Sequence, residues 1–173
     1  TMLPVLIKFV HSRWYWYLVV AAGLALESVA LFYQYILGEP PCVLCIQARF
    51  WTLSGVLFGL FGLSSERPVA QGVAHVGLVA ALALLIDRSR ISVLVERGQY
   101  EGQCGMDAGF PAWFALDAWW PQVFEVQTMC GYTPNFIFGL SMGEGLFYGA
   151  IMLLVVAVGA LVLRAASGLR GVR

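Results

Sequence analysis

Four long apolar runs divide the chain. The first extends from Trp16 to Leu37, with Glu27 as its one ionisable residue, and the second from Val43 to Leu63, with Arg49 near its start. The third opens after Pro68 and is apolar through Ile86, and the fourth, Leu146 to Leu163, carries no charge. None shows the polar face that a helix in a soluble bundle needs. Each is about as long as a helix must be to cross roughly 30 Å of hydrocarbon. The pattern predicts an all-α membrane protein, a four-transmembrane-helix bundle with spans over about 16–37, 43–63, 69–90 and 146–163, in one integral membrane domain covering 1–173.

Between the runs the signals differ. Gly38 to Pro41 predicts a tight turn within a loop of about 38–42, and Gly62 to Pro68 a short loop at the opposite side. Asp87 to Arg97 lacks Gly and Pro, so the third helix can continue beyond Ile86. The stretch of about 91–145 is too long for a plain connector. Its first part, Gly98 to Gly105, is polar and glycine-rich. From Trp113 to Val126, Trp113, Phe114, Leu116, Trp119, Trp120, Val123 and Phe124 alternate with Asp117, Gln122 and Glu125. That pattern predicts a short amphipathic helix in the membrane interface, broken at Pro121, or else a small folded cap.

Composition strengthens the membrane reading. Of 173 residues, 60% are hydrophobic and 12% charged, with a mean hydropathy of +0.80, far from ordinary globular usage. Ten basic and ten acidic residues leave no electrostatic footprint for nucleic acid. Lys8 and Arg13 precede the first run, Arg67 lies between the second and third, and Arg164, Arg170 and Arg173 follow the fourth. Arg88, Arg90 and Arg97 sit close to the membrane edge of the long loop. The positive-inside rule therefore predicts both termini in the cytoplasm and two loops, about 38–42 and 91–145, on the outer side. Glu27, costly in mid-span, is expected to face the bundle, as an interhelical polar contact or a proton-handling group. His75 is expected to pack or hydrogen-bond between helices, and His11 to be solvated.

All four cysteines fall on the outer side, where disulfides persist. Cys42 and Cys45 follow Pro40-Pro41 at the start of the second run, and proline suits a first helical turn. Unpaired N–H groups and the helix dipole there favour a thiolate, the reactive form of cysteine. Arg49 follows Cys45 at i+4 and can share its face. Four cysteines allow three pairings. A Cys42–Cys45 bond would close a very small ring and gain little loop entropy, so stability is a weak motive for it. Cys104–Cys130 would close the long loop. Inert staples and a four-thiolate zinc site are the competing readings, but zinc wants two close pairs and only one is present, with no suitable histidine. Redox chemistry fits best, with a loop pair open to soluble thiols and a membrane pair able to pass electrons into lipid. The natural acceptor there is a lipid-soluble quinone. No haem motif or dinucleotide fingerprint is present.

Several of these segments resemble the DsbB family. They are Leu24-Ala25-Leu26-Glu27 with Ala30-Leu31-Phe32, Pro41-Cys42-Val43-Leu44-Cys45-Ile46 with Arg49, and Leu116-Asp117-Ala118-Trp119-Trp120-Pro121-Gln122-Val123-Phe124 with Cys130. The resemblance spans essentially the whole chain. It implies a quinone reductase of the bacterial inner membrane that reoxidises a periplasmic DsbA-like thiol oxidase, using ubiquinone or menaquinone. Carried over, Cys104 resembles the cysteine that bonds to DsbA and Cys130 its resolving partner. Cys42 resembles the cysteine that exchanges with the loop pair, and Cys45 the one that contacts the quinone. Arg49 matches the arginine beside the quinone, Arg90 the arginine at the outer end of span three, and Met142 a residue of the quinone pocket. The family often has a histidine shortly after that arginine, whereas Ile91 follows Arg90. The competing functions are a quinol-driven reductase of periplasmic disulfides and a non-catalytic four-span scaffold.

Overall fold

The structure, a computed structural model, describes residues 2–102 and 104–169. Arg170 and Arg173, part of the charge argument, lie outside the described residues. Four long helices form where the apolar runs predict them: α2 (Arg13–Tyr35), α3 (Val43–Ser64), α4 (Pro68–Glu96) and α7 (Met142–Leu169), preceded by a short helix α1 (Met2–His11). All four are long and apolar enough to cross a membrane, and the chain is a multi-pass membrane protein. Helix α2 packs on α3, α3 on α4 and α4 on α7, while α1 closes against α7 and α2. The outer surface of the bundle is apolar, with Leu18, Leu57, Val73, Val76, Val155 and Val162 exposed, as lipid-facing positions require.

The ends of the spans have local causes. Helix α4 starts at Pro68, which needs no N–H there, and runs past the expected end to Glu96, where Gly98 takes a left-handed φ of 65°. Helix α7 starts one turn before the uninterrupted apolar run. Its N-terminus is a capping box: the Ser141 hydroxyl accepts from Glu144 N–H at 3.1 Å and the Glu144 carboxylate accepts from Ser141 N–H at 3.2 Å. Helix α1 buries Val10 against the bundle.

The end of the bundle opposite the cysteines is tightly closed. Trp16 lies flat against Gly62, where any side chain would run into its ring. Trp16 Nε1–H donates to Gln71 Oε1 at 2.7 Å, and Gln71 Nε2 donates to the Gly62 and Ser65 carbonyls, both at 2.5 Å. Arg164 also donates to Gln71 Oε1, at 2.7 Å. His75, fully buried, stacks on Tyr15 at 5.2 Å and donates from Nδ1 to the Gln71 carbonyl at 2.8 Å. His11 is exposed, with Nε2 3.3 Å from the Ser167 hydroxyl.

The long loop folds over the other end. Its aromatic stretch is a helical turn at Ala112–Phe114 followed by two short helices, α5 (Leu116–Trp119) and α6 (Pro121–Phe124). Pro121 begins α6 instead of breaking one longer helix. Val123 and Phe124 bury against the start of α3, while Trp113, Trp119 and Trp120 stay exposed. The stretch is thus a folded cap that also presents an aromatic outer face.

Candidate redox site

The site is assembled where α3 begins. Cys42 is the N-cap of α3, and its sulfur accepts from Cys45 N–H at 3.4 Å. Pro40 and Pro41 therefore precede the helix rather than occupy its first turn. The Pro41 carbonyl accepts from Gln127 N–H at 2.9 Å and Thr128 N–H at 3.3 Å, so residues 127–128 of the loop run beside Cys42 as an isolated parallel bridge. The pairing delivers Cys130 to the same place.

All four cysteines are free thiols in this structure. Cys42 and Cys45 Sγ lie 3.0 Å apart, and Cys42 is buried. The Cys42 thiol is pulled down to about 6 by the hydrogen bond from Cys45, with the N–H groups of Cys45 and Leu44 and the Cys130 thiol adding to it. Cys130 is pushed up to about 12, chiefly by burial and then by its interactions with Cys104 and Cys42. Cys104 Sγ lies 3.5 Å from the Gly102 carbonyl and is half-exposed. The sulfurs thus form a series: Cys104 outermost, Cys130 next to it, then Cys42, then Cys45 leading into the bundle.

One turn below Cys45, Arg49 is buried, 5% exposed. Its Nη1 donates to Gln34 Oε1 at 2.6 Å and to the Val123 carbonyl at 3.0 Å, and its Nη2 donates to the Ala30 carbonyl at 3.3 Å. One side chain therefore joins α2, α3 and α6. Its Nε is buried with no partner among the described residues. Cys45 and Arg49 open onto a cavity of about 200 Å³ between the cysteine ends of the four long helices and loop residues 128–136. Met142, Glu27, Tyr33, Ser92 and Thr133 also line it. Glu27 Oε2 and Thr133 Oγ1 are buried without partners among the described residues. No group of three or more metal-ligating side chains occurs among the described residues.

The geometry brings Cys42, Cys45, Arg49 and Met142 to one place. It does not bring Arg90 there. That side chain is 59% exposed, 3.9 Å from Asp87, and faces away from the cavity. Sequence reasoning missed Gln34, which holds Arg49, and Thr133. Gln34 had a readable signal, standing seven residues after Glu27 on one face of an otherwise apolar helix. Thr133 had none, since the loop's path depends on contacts such as Tyr33 Oη–H to the Asn135 carbonyl at 3.2 Å and Tyr35 Oη–H to the Gln122 carbonyl at 2.7 Å.

The profile of the family described as "Disulfide bond formation protein DsbB" matches residues 12–161. A relative from Pseudomonas aeruginosa, "Disulfide bond formation protein B 2", is 36% identical over 140 residues, covering 79% of this chain and 83% of that protein. "Disulfide bond formation protein B" of Shewanella amazonensis is 34% identical over 142 residues, covering 80% and 83%. Its namesake from Haemophilus influenzae is 30% identical over 150 residues, covering 84% and 83%.

Proposed function

The chain belongs to the DsbB family of disulfide-generating membrane oxidoreductases, and from that premise we propose that its four cysteines relay electrons from a periplasmic DsbA-like thiol oxidase to a membrane quinone. The observation that carries this reading is the series Cys104, Cys130, Cys42, Cys45, which ends in a buried cavity beside Arg49. The partner's thiolate attacks the Cys104–Cys130 disulfide at half-exposed Cys104, and a second attack releases the oxidised partner and leaves the loop dithiol. Cys130 then attacks Cys42 of the Cys42–Cys45 disulfide and frees Cys45, and Cys104 resolves the mixed bond to regenerate the loop disulfide. The environment disfavours a thiolate at Cys130 and favours one at Cys42. Membership of a disulfide-generating family supports the oxidase direction over a quinol-driven reductase.

The cavity fits a quinone in its chemistry: a mainly apolar wall, a buried cation and polar atoms still lacking partners. Cys45, Arg49 and Met142 would hold the group, which when bound accepts two electrons and two protons. Arg49 stabilises the Cys45 thiolate and any negative charge that develops on a ring oxygen. The cysteine end faces the periplasm of a bacterial inner membrane, with both termini in the cytoplasm. Arg13, Arg67 and Arg164 at the opposite end support that orientation.

The test is quinone reduction by the purified protein with a reduced DsbA-like partner, comparing wild type with Cys45→Ser. Turnover in wild type that vanishes in the variant is the expected result. Absence of turnover with both ubiquinone and menaquinone, using a demonstrated partner, would sink the reading.

A further inference from the structure

Glu27 is a carboxyl group in the middle of a membrane span, 7% exposed, with Oε2 buried and unpartnered. The relay as described gives it no task. Its depth follows from helix register. Arg49 reaches the Ala30 carbonyl, and Gly23 backs onto Val56, so Glu27 stands opposite Thr52. That is about two turns, on the order of 10 Å, below Cys45. The cavity therefore has a thiol at its upper wall, a cation in the middle and an unpartnered carboxyl at its floor. The other titratable groups on its wall are Tyr33 from α2, Glu39 before α3, and Tyr132 from the loop; α4 and α7 contribute only Ser89, Ser92, Met142 and apolar or glycine positions. Among the cavity's described residues, Glu27 is the one acid that lies below Arg49.

We propose that Glu27 is the proton donor to the quinone bound in this cavity; the inference rests on the quinone reading above. Oxidation of the Cys42–Cys45 dithiol breaks two S–H bonds, forms one S–S bond and releases two electrons and two protons. The ring takes both electrons and gains two O–H bonds. Glu27 would give its carboxyl proton to one ring oxygen, and the carboxylate left behind would be balanced by the Arg49 cation. One of the two thiol protons supplies the second O–H bond and the other restores the acid, so Glu27 ends the cycle as it began. A buried acid suits this task because hydrocarbon around the lower cavity offers no water to supply the proton.

The test uses the full chain in lipid nanodiscs with a short-chain ubiquinone and a short-chain menaquinone as probes. Infrared spectra of the quinone-free protein are expected to show a carboxylic acid band that Glu27→Gln removes and that shifts when either probe binds. In single turnovers from the dithiol form, Glu27→Gln is expected to slow quinone reduction by about 100-fold, the usual scale of a lost general acid. Quinone affinity, read by quenching of tryptophan fluorescence, should stay within about threefold, and Glu27→Asp should recover part of the rate. A group that merely balances the charge of Arg49 would alter affinity or melting temperature without that rate loss. Turnover of a folded Glu27→Gln within about threefold of wild type, or a spectrum without the acid band, overturns the inference. Wild type that binds neither quinone overturns the function on which the inference rests.

Discussion

The two ends of the bundle differ in how they pack their buried polar groups. At the end away from the cysteines, Gln71 accepts from Trp16 and Arg164 and donates to two carbonyls, and the Trp16 ring presses on Gly62. At the cysteine end, Arg49 is equally buried but keeps Nε unpartnered, next to a cavity with further unpartnered atoms on Glu27 and Thr133. An unmade hydrogen bond in a buried site costs about 1–3 kcal/mol. The far end also leaves Tyr15 Oη and His75 Nε2 without partners among the described residues, but at the cysteine end the unpartnered atoms gather around the larger cavity. One end holds the spans together, and the other holds chemistry.

That contrast breaks if the two ends respond alike to mutation. The largest effect is expected from Arg49→Leu, which should cut quinone-linked turnover by about 100-fold, on the scale of losing a preorganised donor at a site of developing charge. Steady-state assays with both quinones would check it, and turnover near wild type would remove Arg49 from the site. Gln71→Leu should do the reverse, lowering unfolding free energy by roughly 2–4 kcal/mol through the orphaned Trp16 N–H and carbonyls, with turnover per folded molecule within about threefold. Thermal melts in detergent beside the same assay separate the two. The smallest effect is a titration. In the reduced protein the far-ultraviolet thiolate absorbance should rise around pH 6, and Cys42→Ser should abolish that step, while Cys130 remains a thiol through pH 9. The sign for stability follows from a folded value below the free-thiol value. Cys42 contributes fully above about pH 9, the contribution shrinks as pH falls, and it is gone below about pH 6.

Much of this was readable in advance, for physical reasons that differ by region. The four spans were legible because hydrocarbon demands long uncharged runs, and observed helices cover the expected runs except Ile36 and Leu37 at the end of the first. The place of Arg49 below Cys45 was legible because i and i+4 share a helix face. Charge did not reveal the function of Arg90. It has the right residue type near the right end of α4, but its angular position turns it outward to Asp87, and angle is set by packing. The start of α7 was legible only as a pattern of Ser141 and Glu144 three apart, easily lost in a loop of mixed composition. The cavity itself was not legible, because it depends on how residues 128–136 cross three helices, a matter of non-local contacts.

The parallel pairing at Pro41 bears on how the proposed relay would be wired. Cys42 is 3% exposed beside residues 127–128, two residues before Cys130, so small thiols in solution would meet insulation where the membrane pair would otherwise be a bare terminal. In the proposed relay, electrons would enter at the half-exposed loop pair Cys104 and Cys130 and cross to the membrane pair at the covered sulfur of Cys42. The backbone contacts that bring Cys130 beside Cys42 would also hinder short circuits there.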